Sequence, residues 1–128
     1  MRYLIWVDSW QMQCCGTPVR VGRPVTWTIT DDPDRGWLAE VIGAQVAAAV
    51  THREDHHGDL PEQWPSTTGR VTGVRSCFCR YTPEAQGSRS MRPVPGSTVF
   101  RDQEGGDGWE QDTEELRFVG YLVTLDIF

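Results

Sequence analysis

The sequence contains no lysine: all twelve of its basic residues are arginine. That absence excludes lysine Schiff-base chemistry and the phosphate-gripping lysine of a P-loop. It also points to a GC-rich coding genome. Long apolar runs are missing too. A membrane-spanning helix needs about 20 apolar residues, whereas the longest candidate, Val41 to Val50, spans ten and includes Gln45. The N-terminal run Tyr3 to Val7 is five residues long and meets Asp8, too short for the apolar core of a secretory signal. A cytoplasmic protein with no membrane partner is the expectation. No internal repeat or heptad pattern occurs. Gly-x-Ser-x-Gly, Cys-x-x-Cys and His-Glu-x-x-His are absent as well, so no familiar nucleophile or metalloprotease signature is present.

What is there fits one folded domain over residues 1–128. The chain is 38% hydrophobic, 10% aromatic and 23% charged, too apolar for a disordered segment and too polar for a membrane protein. Its net charge is −6. Residues 1 to 30 read as β structure. Tyr3, Ile5 and Val7 alternate with Leu4, Trp6 and Asp8, so both faces carry apolar groups, as in a strand covered on both sides. After a turn at Gly16-Thr17-Pro18, Val19 and Val21 alternate with Arg20. Val25, Trp27 and Ile29 then alternate with threonines, and Gly22 between the two runs predicts a strand bent sharply at the glycine.

Asp31-Asp32-Pro33-Asp34 predicts a helix start, because aspartate accepts first-turn amides and proline suits the first helical position. Trp37, Leu38, Val41 and Ile42 follow with helical spacing, and the helix is expected to end by Gly43 or Ala49. Gly58 to Thr68 reads as loop. Arg70 to Tyr81 reads as a strand with Val74 and Phe78 on one face and Val71, Cys77, Cys79 and Tyr81 on the other. Residues 83 to 97, rich in Pro, Gly, Ser and Arg, read as mobile loop. Thr98 to Phe100 reads as a short strand, and Asp102 to Glu115, with seven acidic and no basic residues, as loop. In the closing strand Val119, Tyr121, Val123, Leu125 and Ile127 share a face, opposite Phe118, Leu122 and Phe128. The sum is a mainly β (α+β) fold: a small bent β-barrel or sandwich of about six strands, with one short helix inserted after the third.

Four groups of residues bear on chemistry. Cys14, Cys15, Cys77, Cys79, His56 and His57, with His52 nearby, have the donor types that zinc takes tetrahedrally. The spacing argues against it, since adjacent Cys14 and Cys15 lack a spacer and Cys77-x-Cys79 lies in a strand. Burial as small core residues is the expected role of these cysteines. Asp55-His56-His57-Gly58-Asp59 places imidazole beside carboxylate, the pattern of a tuned base or ligand, but a polar loop with ordinary hydrogen bonds is the plainer account. Arg70, Arg75, Arg80, Arg89, Arg92 and Arg101 face only Glu84 in their segment. With Tyr81 or Trp64 to stack on, they suggest a phosphate-binding face. The acidic total disfavours nucleic acid as partner, and mutual neutralisation of the basic and acidic loops is the simpler expectation. Finally, six tryptophans is a high number. Trp6, Trp27 and Trp37 fall in periodic elements and read as core. Trp10, Trp64 and Trp109 fall in turns or loops, where they serve either as contact anchors or as caps on a barrel end.

Trp10-Gln11-Met12-Gln13-Cys14-Cys15-Gly16, followed by Val19, Val21-Gly22 and Val25-x-Trp27, resembles an actinobacterial family of small single-domain proteins of unknown function. His56-His57-Gly58 and Arg117-Phe118-Val119-Gly120-Tyr121-Leu122-Val123 are similar to it as well. The likeness covers most of the chain outside residues 83 to 115. It implies a high-GC actinobacterial source, in keeping with the missing lysine, and carries over no activity and no catalytic residue.

Two readings follow. The first is a non-catalytic binding or interaction module without a cofactor. It would present Trp10, Trp64, Trp109, Arg80 and Tyr81 to a protein or small-molecule partner. The second is a zinc site, structural or hydrolytic, drawn from Cys14, Cys15, His56, His57, Cys77 and Cys79. The apolar C-terminal strand also leaves a homodimer open, by pairing across two copies.

Overall fold

The computed structural model describes residues 1–55 and 60–128, with the side chain of Cys15 outside the description. The strands are β1 (Arg2–Asp8), β2 (Val19–Arg20), β3 (Pro24–Thr30), β4 (His52–Glu54) and β5 (Ser66–Cys79). They continue as β6 (Tyr81–Pro83), β7 (Met91–Pro93), β8 (Val99–Gln103), β9 (Gly105–Gly106) and β10 (Arg117–Ile127). Three short helices complete the chain: α1 (Ser9–Cys15), α2 (Arg35–Ile42) and α3 (Ala44–Ala49).

The main sheet runs β10-β1-β4-β3-β5 and closes into a barrel because β5 also pairs with β10. Long β5 makes this closure. One edge meets β10 over Gly69 to Cys79, and the other meets β3 with its first residues and β8 with its last. All of these pairings are antiparallel except β1 with β4. Strand β10 is bonded on both edges within one chain, to β1 and to β5, so it offers no edge for pairing across a dimer.

Two apolar clusters sit on the two sides of the barrel wall. Ile5, Val7, Ile29, Val71, Val74, Phe78, Phe118, Tyr121, Val123 and Leu125 pack together inside, joined by Met12 of α1 and by Val19. Trp6, Cys77, Cys79, Val119 and Leu122 face outward and are covered by Leu38, Val41, Ile42, Ala47 and Val50 of the helical insert. The both-sided apolar pattern of β1 therefore has its expected cause. Ile5 and Val7 go in, and Trp6 goes out under the helices.

Strict alternation fails at two places, and each is a bulge. The register of β5 with β10 jumps between Thr124 and Leu125, where Thr72 has no partner. This turns Val71 inward with Val74 and Phe78 instead of outward with the cysteines. A second jump at Val119 sends that side chain outward and Phe118 inward, the reverse of the alternating pattern. An inserted residue changes the parity of everything beyond it, and it also adds the bend that a small barrel needs.

Other local differences have simple origins. Residues 9–15, inside the stretch read as β, form α1 immediately after Asp8. The helix start falls two residues later than the proline rule predicts: Asp34 is the cap, its Oδ1 accepting from the Trp37 amide at 3.1 Å, and Pro33 precedes it. Gly43, with φ +87°, breaks the insert into α2 and α3. Arg35 then ties the break together, donating to the Ala47 and Val50 carbonyls at 3.1 and 2.9 Å at the end of α3. Gly22 lies not within a bent strand but in a turn, closed by the Arg23 amide on the Arg20 carbonyl at 3.0 Å. Residues 66–68, read as loop, begin β5, and β6 with β7 forms a hairpin inside the stretch read as mobile. Among the described residues no helix is long and apolar enough to cross a membrane.

Candidate functional site

Several corners of the chain meet beside the barrel wall, where β1 runs into α1. They enclose an open cleft of about 1490 Å³. The β1–α1 corner contributes Asp8, Ser9, Trp10 and Gln13, and the β3–α2 corner contributes Asp32, Pro33, Asp34 and Trp37. Arg53 of β4, Tyr81 of β6, the segment Trp109 to Asp112 and the first residues of β10 complete the lining. Three tryptophans and a tyrosine thus share one wall system, with Trp10 52% and Trp109 65% exposed. Trp37 is held from behind: it packs edge-on against buried Trp6, with ring centroids 5.9 Å apart. Burial pushes the Tyr81 phenol above its ordinary range.

The polar side of the cleft is carboxylate. Asp8 Oδ1 accepts from the Trp6 indole at 2.8 Å, and Asp34 Oδ1 from the Trp37 amide at 3.1 Å. Asp112 Oδ1 accepts from the Phe118 amide at 2.8 Å, and Glu110 Oε2 from the Tyr121 hydroxyl at 2.9 Å. Each donor is neutral, so these bonds fix the carboxylates without cancelling their charge. Asp32 completes the set, and its backbone carbonyl accepts from Arg53 Nε at 3.2 Å. Burial raises the Asp8 carboxyl above the usual range, against the lowering effect of the Trp6 bond and of Arg53. Arg53 pairs at 2.5 Å with buried Asp55, which also accepts from Gln11 Nε2 at 3.2 Å.

Of the residues singled out from the sequence, the cleft brings together Trp10, Trp109 and Tyr81. Trp64 lies elsewhere, its indole donating to the Ile29 carbonyl at 2.9 Å, and Arg80 is an exposed residue outside the lining. Trp37 reads as core from the sequence and is instead half-exposed to the cleft, while none of the five carboxylates is assigned to a site by the sequence, Asp32 and Asp34 being read only as a helix start. A cap aspartate three residues before a tryptophan was the one local signal that they would meet.

Three of the six metal candidates have described side chains. Cys77 and Cys79 are buried in the outer cluster, and burial pushes their thiols up to about 12 and about 11. Cys14, expected in the core, is instead exposed, because the segment carrying it forms the surface helix α1 and not a strand. His56 and His57 lie outside the described residues, as does the side chain of Cys15. Among the described residues no three His, Cys, Asp or Glu side chains gather where a metal ion would sit. His52 stacks on Tyr3 at 3.9 Å, and burial holds its pKa below the ordinary value.

Of the basic segment's aromatic partners, Tyr81 lies in the cleft and Trp64 outside it. Three of the segment's six arginines lie over aromatic rings: Arg75 over Phe100 at 4.8 Å, Arg101 over Phe78 at 4.6 Å and Arg70 over Phe128 at 5.6 Å. The ion pairs among the described residues, Arg2 with Asp126 and Arg53 with Asp55, do not join that segment to the acidic one.

No curated protein and no solved structure matches this chain. One family model does match, over residues 1–127, and by that match the chain belongs to DUF6578, a family of unknown function.

Proposed function

We propose that the protein is a non-catalytic binding module whose partner docks in the cleft lined by Trp10, Trp37, Trp109 and Tyr81. The observation that carries this reading is the convergence of three tryptophans on one open cavity, two of them more than half exposed. Large exposed aromatics grouped in a concavity cost solubility unless contact uses them, and tryptophan and tyrosine dominate binding energies where they occur. The carboxylates fit a static role, since four of the five already accept hydrogen bonds that hold the cleft's own backbone and rings. The thiols of Cys77 and Cys79 are buried beneath the helical insert, which raises their pKa values far above those of a nucleophilic cysteine. The all-arginine basic complement supports an actinobacterial source for the chain.

The test is tryptophan emission during titration with arrayed peptides and small molecules. The expected result is a blue shift that Trp109→Ala and Trp10→Ala abolish while Trp64→Ala leaves it intact. A ligand whose binding depends on Trp64 and not on Trp10 or Trp109 would place the contact surface elsewhere.

A further inference from the structure

Resting on that reading, we infer that the cleft's partner is a basic peptide segment, with arginine side chains set between the tryptophan faces and the carboxylates. The lining holds Asp8, Asp32, Asp34, Glu110 and Asp112 against Arg53 and Arg117, an excess of three negative charges. Arg53 is moreover committed to Asp55, which is not part of the lining. The carboxylates are oriented by neutral indole, amide and hydroxyl donors, so their charge stays available to a ligand. Even with Asp8 protonated, as its burial favours, the excess is two.

Aromatic faces and carboxylates in one cavity select for cations twice over. The negative face of an indole attracts a guanidinium or ammonium group, tryptophan more than tyrosine or phenylalanine. A carboxylate binds guanidinium through two parallel hydrogen bonds. An anionic partner meets a net excess of like charge, and a neutral apolar one would leave the carboxylates desolvated without compensation. Size favours a peptide over a single small molecule: about 1490 Å³ exceeds the range of roughly 300–1,000 Å³ usual for small-ligand pockets. An extended segment of a few residues fills it and places more than one cation along the acidic wall.

The experiment titrates the full chain with N-acetylated, C-amidated tetra-arginine, tetra-glutamine and tetra-glutamate, and with spermine, following tryptophan emission. The expected result is tetra-arginine binding at least about tenfold tighter than tetra-glutamine, with no response to tetra-glutamate. Raising salt from about 25 to about 300 mM should weaken that binding roughly fivefold or more. The double substitution Asp32→Asn with Asp112→Asn keeps the hydrogen-bond acceptors and removes two charges. It should weaken tetra-arginine about tenfold while the unfolding midpoint stays in place.

Equal binding of tetra-glutamine, or no loss in the Asn variant, overturns the cationic assignment. If such binding still requires Trp109, the binding module stands without it. Spermine binding as tightly as tetra-arginine overturns the peptide and leaves a free polyamine. No emission change with any of the four at about 1 mM, a level at which even weak specific contacts register, overturns the inference outright. The arrayed screen then shows separately whether the binding reading survives.

Discussion

Trp6 and Trp109 belong to the same residue type and lie within the same region of the molecule, yet they have opposite fates. Trp6 is 3% exposed, packed under α2 and α3, with its indole N–H taken by Asp8 at 2.8 Å. Trp109 is 65% exposed at the mouth of the cleft. The difference lies in what surrounds each. Trp6 sits on a strand whose neighbours are fixed by paired backbone on both sides, so a helical insert can cover it and its polar atom can be satisfied within the chain. Trp109 sits on a loop, anchored through its backbone amide to Asp107 Oδ1 at 2.9 Å, and nothing in the described chain encloses its ring. The barrel wall is built to be finished internally, whereas the cleft beside it is built with aromatic surface left over.

Five measurements break or sharpen this contrast. The largest separation concerns the thiols on the wall. Cys77 and Cys79, with thiols raised to about 12 and about 11, should react with a thiol reagent near neutral pH more than about a hundredfold faster after unfolding than in the native protein. The same shifts set a pH dependence. Thiols whose folded pKa lies above the ordinary value near 9 contribute stability that is complete below that value and lost as pH rises towards about 12. Urea midpoints should therefore fall across that alkaline range. Rapid labelling of the native protein at both positions would show that the wall is not sealed.

Next in size, Phe78→Ala should cost about 3–5 kcal/mol in urea unfolding, because Phe78 fills the barrel interior against Phe118. Asp55→Ala should cost about 2 kcal/mol, by removing the buried carboxylate to which Arg53 Nη1 and Gln11 Nε2 donate. That loss is smaller than for a fully buried pair because Arg53 keeps 34% of its side chain in water. At the small end, Trp109→Ala should change stability by less than about 0.5 kcal/mol. A loss comparable to that of Phe78→Ala would mean that Trp109 is a structural side chain and not surplus contact surface.

Much of the wall was legible in the sequence because alternation is a local property. Strands β1 and β10 and the helical insert after β3 follow from period-2 or helical spacing, and the burial of Cys77 and Cys79, though not the exposure of Cys14, follows from residue type. The bulges at Thr72 and Val119 were not, since one unpaired residue in a register leaves no compositional mark, and each moved a valine to the other face. Helix α1 was hidden for a similar reason. Its seven residues are too few to display a helical period, and Met12 matters only as the side chain that joins the barrel interior. The cleft was half legible. Trp10, Trp109 and Tyr81 stood out as aromatics at element ends, but Trp37 read as core because its spacing matches Leu38 and Val41 on the same helix. The carboxylates come from separate corners of the chain, so their common cavity exists only once the barrel closes.

The claim that the cleft is a contact surface for cations is tested most directly through the indole N–H signals of the six tryptophans in a proton–nitrogen correlation spectrum, recorded during titration with tetra-arginine. Saturable shifts should appear at Trp10, Trp37 and Trp109, while Trp27 and Trp64, which lie outside the cleft, stay fixed. Shifts confined to Trp64 and Trp27, or spread evenly over all six without saturation, would contradict the account.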